Sequence, residues 1–174
     1  IFTDNFQEFD GPLAKGWHAW ANYHCVMDWT PDTKQESRNP PCGLPEYRAA
    51  NPLDAFPQRA HEGHDDNAQQ YFTVYSGHNA GLYRQFDVLP GAILEVSVWG
   101  TSWSSNSNNP NDPGEQARMR IGIDPQGGLD PEDKAVMWGE VANPFNKWTQ
   151  IPSVKATAGP AGKLTVFLRS NPAW

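Results

Sequence analysis

The chain has 174 residues, with 20 Asp and Glu against 13 Lys and Arg, a formal charge of −7. That length suits one packed domain and demands no second. The acidic balance argues against nucleic acid, whose phosphates require a basic surface, and against an anionic membrane surface. No apolar run approaches the ~20 residues of a membrane span, so no membrane insertion is expected. Charged residues are only 19% while Trp numbers eight, so polarity comes from Asn, Gln, Ser, Thr, Gly and Pro, a composition common in exported all-β domains.

Residues 1–67 carry Trp17, Trp20, Trp29 and Tyr47 among Pro-rich, weakly periodic sequence such as Asn39-Pro-Pro-Cys-Gly-Leu-Pro45. We read this part as a long irregular, aromatic-bearing excursion over one side of the domain, because an ordered long loop is often functional. Cys25 and Cys42 close a small loop if paired. In an oxidising compartment that closure contributes roughly 3 kcal/mol. The disulfide is the expectation, with two separate thiols the alternative. His61-Glu-Gly-His-Asp-Asp66, with His78 as a third imidazole, has residue types that zinc uses. The segment also reads as the polar side of a turn, which is the simpler account.

From residue 68 onward, strands recur: Ala68–Tyr75, Gly81–Val88, Ile93–Thr101, Ala117–Asp124, Val136–Gly139, Trp148–Lys155 and Lys163–Arg169. Turn signals separate them, at Ser76-Gly-His-Asn79, Leu89-Pro-Gly91 and Ala158-Gly-Pro-Ala-Gly162. No helix of ten or more residues is expected, since Gly and Pro interrupt nearly every candidate. Many short strands with regular turns predict an all-β fold, a β-sandwich, as one domain over residues 1–174.

In Ile93–Thr101, Leu94, Val96 and Val98 point one way, and Glu95, Ser97, Trp99 and Thr101 the other, with Trp103 continuing that side. Arg118–Asp124 repeats the pattern: Met119, Ile121 and Ile123 inward, Arg118, Arg120 and Asp124 outward. We place the second strand beside the first. A face of Trp, Arg and Asp makes a poor core and a good platform for a polar ligand with flat apolar faces, such as a sugar. Indoles stack on pyranose C–H faces, and the Arg fork suits vicinal hydroxyls or a carboxylate. The candidate ligand-binding residues are Trp99, Trp103, Arg120, Asp124, Arg118 and Trp138. For each the competing account is ordinary: a core Trp, or a solvent-facing Arg–Asp pair.

The strings Ala68-Gln-Gln-Tyr-Phe-Thr-Val-Tyr75, Ala80-Gly-Leu-Tyr-Arg-Gln-Phe-Asp-Val88, Pro90-Gly91 and Val98-Trp99, with Asn5–Glu8 and Gly16-Trp17 upstream, carry a resemblance. They resemble jelly-roll carbohydrate-binding modules of exported bacterial polysaccharide-degrading enzymes and cell-surface proteins. Arg118–Pro131 followed by Val136-Met-Trp138 is similar to one exported subgroup of that type. The resemblance spans most of Ala68–Trp174 and only thinly residues 1–67. It implies a jelly roll, glycan binding without catalysis, an extracellular or cell-surface location, and a structural calcium with Glu8 and Asp10 as candidate ligands.

Two departures accompany it. Modules of this type close their first sheet with an aromatic-rich last strand ending in Asp, and this sequence ends at Asn171-Pro-Ala-Trp174. The closing strand is therefore expected from further sequence or from another chain. The acidic residues of Asp4-Asn-Phe-Gln-Glu-Phe-Asp10 are also displaced from the usual calcium pattern.

The leading expectation is non-catalytic binding of a polysaccharide or other glycan. The alternative is a structural or adhesive domain of a surface layer, fibre or virion that accepts another protein chain at an open sheet edge. A glycan-active enzyme ranks third: Glu95, Asp124 and Glu140 are carboxylates that a sheet could bring together, but nothing in their spacing requires it. No Gly-x-Ser-x-Gly or His-Glu-x-x-His occurs.

Overall fold

The structure, a computed structural model, describes residues 2–22, 43–50, 67–74, 76–103 and 117–172. Among these every regular element is a strand. The first four are β1 (Phe9–Asp10), β2 (Leu13–Ala14), β3 (His18–Asn22) and β4 (Glu46–Ala50). Next come β5 (Ala68–Phe72), β6 (Asn79–Asp87), β7 (Ile93–Gly100) and β8 (Arg120–Asp124). The last are β9 (Met137–Trp138), β10 (Thr149–Thr157) and β11 (Lys163–Ser170). All seven strands predicted from residue 68 onward are present, most of them shortened or shifted by one to three residues.

Five strands form one antiparallel sheet in the order β3-β6-β11-β8-β9. Strands β7 and β10 pair antiparallel in a second sheet, and β4 with β5 and β1 with β2 form two more. The pattern of β11 explains its central place. Leu164, Val166 and Leu168 join Leu82 of β6 and Ile121 and Ile123 of β8 in one apolar cluster. Leu94, Val96 and Val98 of β7 and Ile151, Val154 and Ala156 of β10 enter the same cluster from the other side. The inner faces of the two sheets thus share a core, and each buried Leu, Ile or Val contributes about 1.5–3 kcal/mol.

Strand β10 needs a device to do this, because Ile151 and Val154 are three residues apart and strict alternation would turn one of them outward. The register slips between Ile151, opposite Val98, and Val154, opposite Val96. Pro152, which has no N–H to give a ladder, lies within this bulge. The turn from β6 to β7 is equally legible: Ala92 N–H bonds the Leu89 carbonyl at 3.0 Å, with Pro90 first and Gly91 at φ +75 second. That is the Pro-Gly arrangement of a type II turn.

Two expectations need correction. The first part of the chain is not simply an irregular excursion: β3 is an edge of the main sheet and β4 pairs with β5 along five residues. Strand β3 hides from pattern reading because the residues in register with the core side are only Ala19, exposed at this edge, and half-buried Ala21, while its large ring, Trp20, is buried on the other face. Strand β8 also does not lie beside β7. Its neighbours are β11 and β9, and β7 pairs with β10. The predicted Cys25–Cys42 bridge, the His61–Asp66 cluster, Trp29 and Trp174 lie outside the described residues.

Candidate functional site

The residues predicted to form one binding face fall on two faces on opposite sides of the core. Trp99 lies on the outer side of β7 with Trp103 exposed three residues past its end, while Arg120, Asp124 and Trp138 lie on the outer side of the five-stranded sheet.

On the first face, Trp99 stands opposite Gln150 across the β7–β10 ladder. Its indole is 48% exposed and that of Trp103 is 41% exposed. Past the end of β7, Ser102 is pinned to residues 144–146. Its N–H and hydroxyl both bond the Pro144 carbonyl, at 2.7 and 2.9 Å, and Asn146 N–H bonds the Ser102 carbonyl at 2.9 Å. Trp103 therefore leaves a fixed backbone. Lower on the same face, Ser153 donates its hydroxyl to Glu95 Oε1 at 2.7 Å, and Lys155 Nζ lies 3.3 Å from Oε2. The Ser153 hydroxyl first, and then the Lys155 bond and charge, hold the Glu95 carboxyl below its ordinary value. Glu95 is thus an ionised, engaged carboxylate, and it faces away from Asp124.

On the second face, ladder registers align a row across five strands: His18, Tyr83, Phe167, Gly122 and Trp138. Its rings touch in sequence. His18 and Tyr83 stack with centroids 5.1 Å apart, Tyr83 and Phe167 lie at 6.0 Å, and Phe167 and Trp138 at 6.2 Å. Gly122 makes the last contact possible, since a Cβ there would come within 2.8 Å of the Trp138 ring. The adjacent row is Trp20, Gly81, Arg169 and Arg120. Arg120 and Arg169 both lie over the Trp138 indole, at 4.8 and 5.4 Å from its centroid. Phe167 is fully buried at the centre, packed with Trp20 and Val136, while His18 is exposed and Trp138 half-buried.

Asp124 does not act as predicted on this face. It is 2% exposed, and its Oδ1 accepts the Gln126 N–H at 2.7 Å, so it caps the turn that follows β8. Arg118 is also set apart: it precedes β8 with φ +49, and its N–H bonds Asn143 Oδ1 at 2.9 Å. Sequence reading missed His18, Tyr83, Phe167 and Arg169. Phe167 and Arg169 alternate with the apolar residues of β11, and that was the available signal.

Glu8 is exposed and paired with Lys15 at 2.8 Å, whose bond and charge hold the carboxyl below its usual range. Asp10 is exposed on β1. Among the described residues no three His, Cys, Asp or Glu side chains converge to hold a metal ion. His78 is buried between hydroxyls, with Nδ1 3.0 Å from Thr73 Oγ1 and Nε2 2.6 Å from Ser170 Oγ. Thr73 gives its proton to the Ser76 carbonyl at 2.6 Å. Nδ1 therefore carries the proton of the neutral imidazole, and Ser170 donates to Nε2. Burial pushes His78 down to about 4.

No family model matches the chain, and no curated protein does.

Proposed function

We propose that the chain is a non-catalytic carbohydrate-binding domain of an exported or surface-attached protein, a β-sandwich of jelly-roll type that holds glycan on the outer face of β7. The observation that carries this reading is the pair of nearly half-exposed indoles, Trp99 on a strand whose other side is core and Trp103 on the pinned chain just past its end. Large, partly exposed rings on a fixed backbone are chemistry for stacking, and Gln150 and Ser97 beside Trp99 supply hydrogen-bonding partners for sugar hydroxyls. Four residues of extended chain span about 13 Å, too far for both rings to stack on one pyranose. The pair therefore suits a chain of several sugars.

The test is a glycan array on the oxidised protein, followed by titration of the best hit. Trp99→Ala and Trp103→Ala are each expected to weaken binding about tenfold, from stacking on the order of 1 kcal/mol plus lost area. Unchanged affinity in both variants overturns the reading. A blank array from folded, monodisperse protein does so too, and favours a protein chain as partner.

A further inference from the structure

We infer that Glu95, set by Ser153 and Lys155, is the hydroxyl-reading contact of the β7 face and selects a neutral polysaccharide. This inference rests on the carbohydrate-binding reading and names the class of glycan and the residue that recognises it. The exposed side of β7 continues from Trp99 through Ser97 to Glu95. Glu95 lies four residues from Trp99, about 13 Å along extended chain, on the side away from Trp103. The contact therefore lengthens the Trp99 platform along the strand.

The bulge in β10 builds it. Ile151 stands opposite Val98 and Val154 opposite Val96, so Pro152 and Ser153 together face the single residue Ser97. Bulges re-aim side chains, and here the Ser153 hydroxyl reaches across to donate to Glu95 Oε1 at 2.7 Å. Lys155, directly opposite Glu95 in the ladder, brings Nζ to 3.3 Å from Oε2. Both charged side chains are more than half exposed, at 51% for Glu95 and 67% for Lys155. An exposed ion pair contributes little to folding, whereas an ordered carboxylate in water is an acceptor set for sugar hydroxyls. An ionised carboxylate has about four lone-pair sites. Ser153 and Lys155 occupy one on each oxygen, which leaves acceptor capacity for a ligand. The Lys155 ammonium supplies N–H donors beside it. Adjacent acceptors and donors match vicinal hydroxyls, each of which is both, and bonds to the carboxylate are charge-assisted.

Charge decides the class. Glu95 and Lys155 cancel locally, while the whole chain carries −7. A polyanion is repelled at long range and then meets a carboxylate on the platform. A neutral polysaccharide meets neither cost.

The experiment titrates the full chain with xylan, glucomannan and hydroxyethylcellulose, and with any neutral glycan that the array returns. Carboxymethylcellulose and polygalacturonate are the anionic counterparts. Wild type is expected to bind at least one neutral glycan, and the anionic polymers about tenfold more weakly or not at all. Glu95→Gln should weaken the neutral glycan about tenfold, through loss of the charge-assisted bonds. Asp87→Asn removes the same charge from the five-stranded sheet, where Asp87 pairs with Lys163, and should leave affinity unchanged. Losses from Glu95→Gln and Trp99→Ala should multiply in the double variant, as separate contacts do. Unchanged neutral-glycan affinity in folded Glu95→Gln overturns the inference, as does an equal loss in Asp87→Asn. If only anionic glycans bind, this inference fails and the proposed function stands. If no glycan binds at all, both fail.

Discussion

The two aromatic faces use the same kinds of side chain for opposite purposes. On β7 the indoles stand in water, supported by a strand whose stability comes from Leu94, Val96 and Val98 beneath. On the five-stranded sheet the rings are packed edge to edge, with Phe167 fully buried and Arg169 at 5% exposure. Among the described residues burial separates the Trp side chains: Trp17 and Trp20 are buried, while Trp99 and Trp103 are exposed.

The largest effect that distinguishes the faces is expected at Phe167. Phe167→Ala removes the ring joining Tyr83 to Trp138 and should destabilise the fold by about 3–5 kcal/mol, measured by denaturant unfolding. A loss below about 1 kcal/mol would mean that this row is ligand surface like the other.

The polar groups make a parallel contrast between buried His78 and exposed Glu95. His78 sits near 4 in the folded chain, below the ordinary value of about 6.5 for an unfolded imidazole. The fold favours its neutral form, so the contribution is complete above about pH 6.5 and is lost as pH falls toward 4. Its full size is about 3 kcal/mol at one pKa unit per 1.36 kcal/mol. Urea melts between pH 7 and 4.5 should show stability falling, with a shallower slope in His78→Leu. Equal slopes would show that His78 is not the group responsible. Glu95→Gln, on the exposed side where solvent screens the Lys155 charge, should leave the urea midpoint essentially unchanged.

Gly122 lies between these magnitudes. Gly122→Ala forces the Trp138 indole off the sheet and should cost about 1–3 kcal/mol as overpacking. The Trp emission is expected to shift toward that of a more exposed indole on Gly122→Ala, and not to shift when the same change is made in a Trp138→Phe background. An unshifted spectrum would show that the ring does not depend on the bare backbone beneath it.

Much of this was legible in the sequence, in a definable way. Alternation states which way a side chain points, and it placed Leu94, Val96 and Val98, Ile121 and Ile123, and Leu164, Val166 and Leu168 on their inward faces. It does not state which strand lies alongside, so β8 was put next to β7 when its partners are β11 and β9. It also does not state what folds over a residue. Asp124 points outward as its parity requires, yet the following turn covers it, with the Gly127 carbonyl held by Gln85 at 2.6 Å. Strand β3 carries no hydrophobic signal, because only small Ala19 and Ala21 share the register of the core side and Ala19 is exposed at the sheet edge.

The smallest expected effect on stability bears most directly on the contrast. Trp99→Ala and Trp103→Ala should change unfolding free energy by no more than about 0.5 kcal/mol, because exposed side chains on an intact strand contribute little packing. The same substitutions are expected to weaken glycan binding about tenfold each. Thermal melts and ligand titrations on one pair of variants separate the two quantities. A residue that costs affinity without costing stability is surface maintained for a ligand. A residue that costs both is fold, and if Trp99 behaves so, the β7 face is a second structural row and the proposed glycan contact there fails.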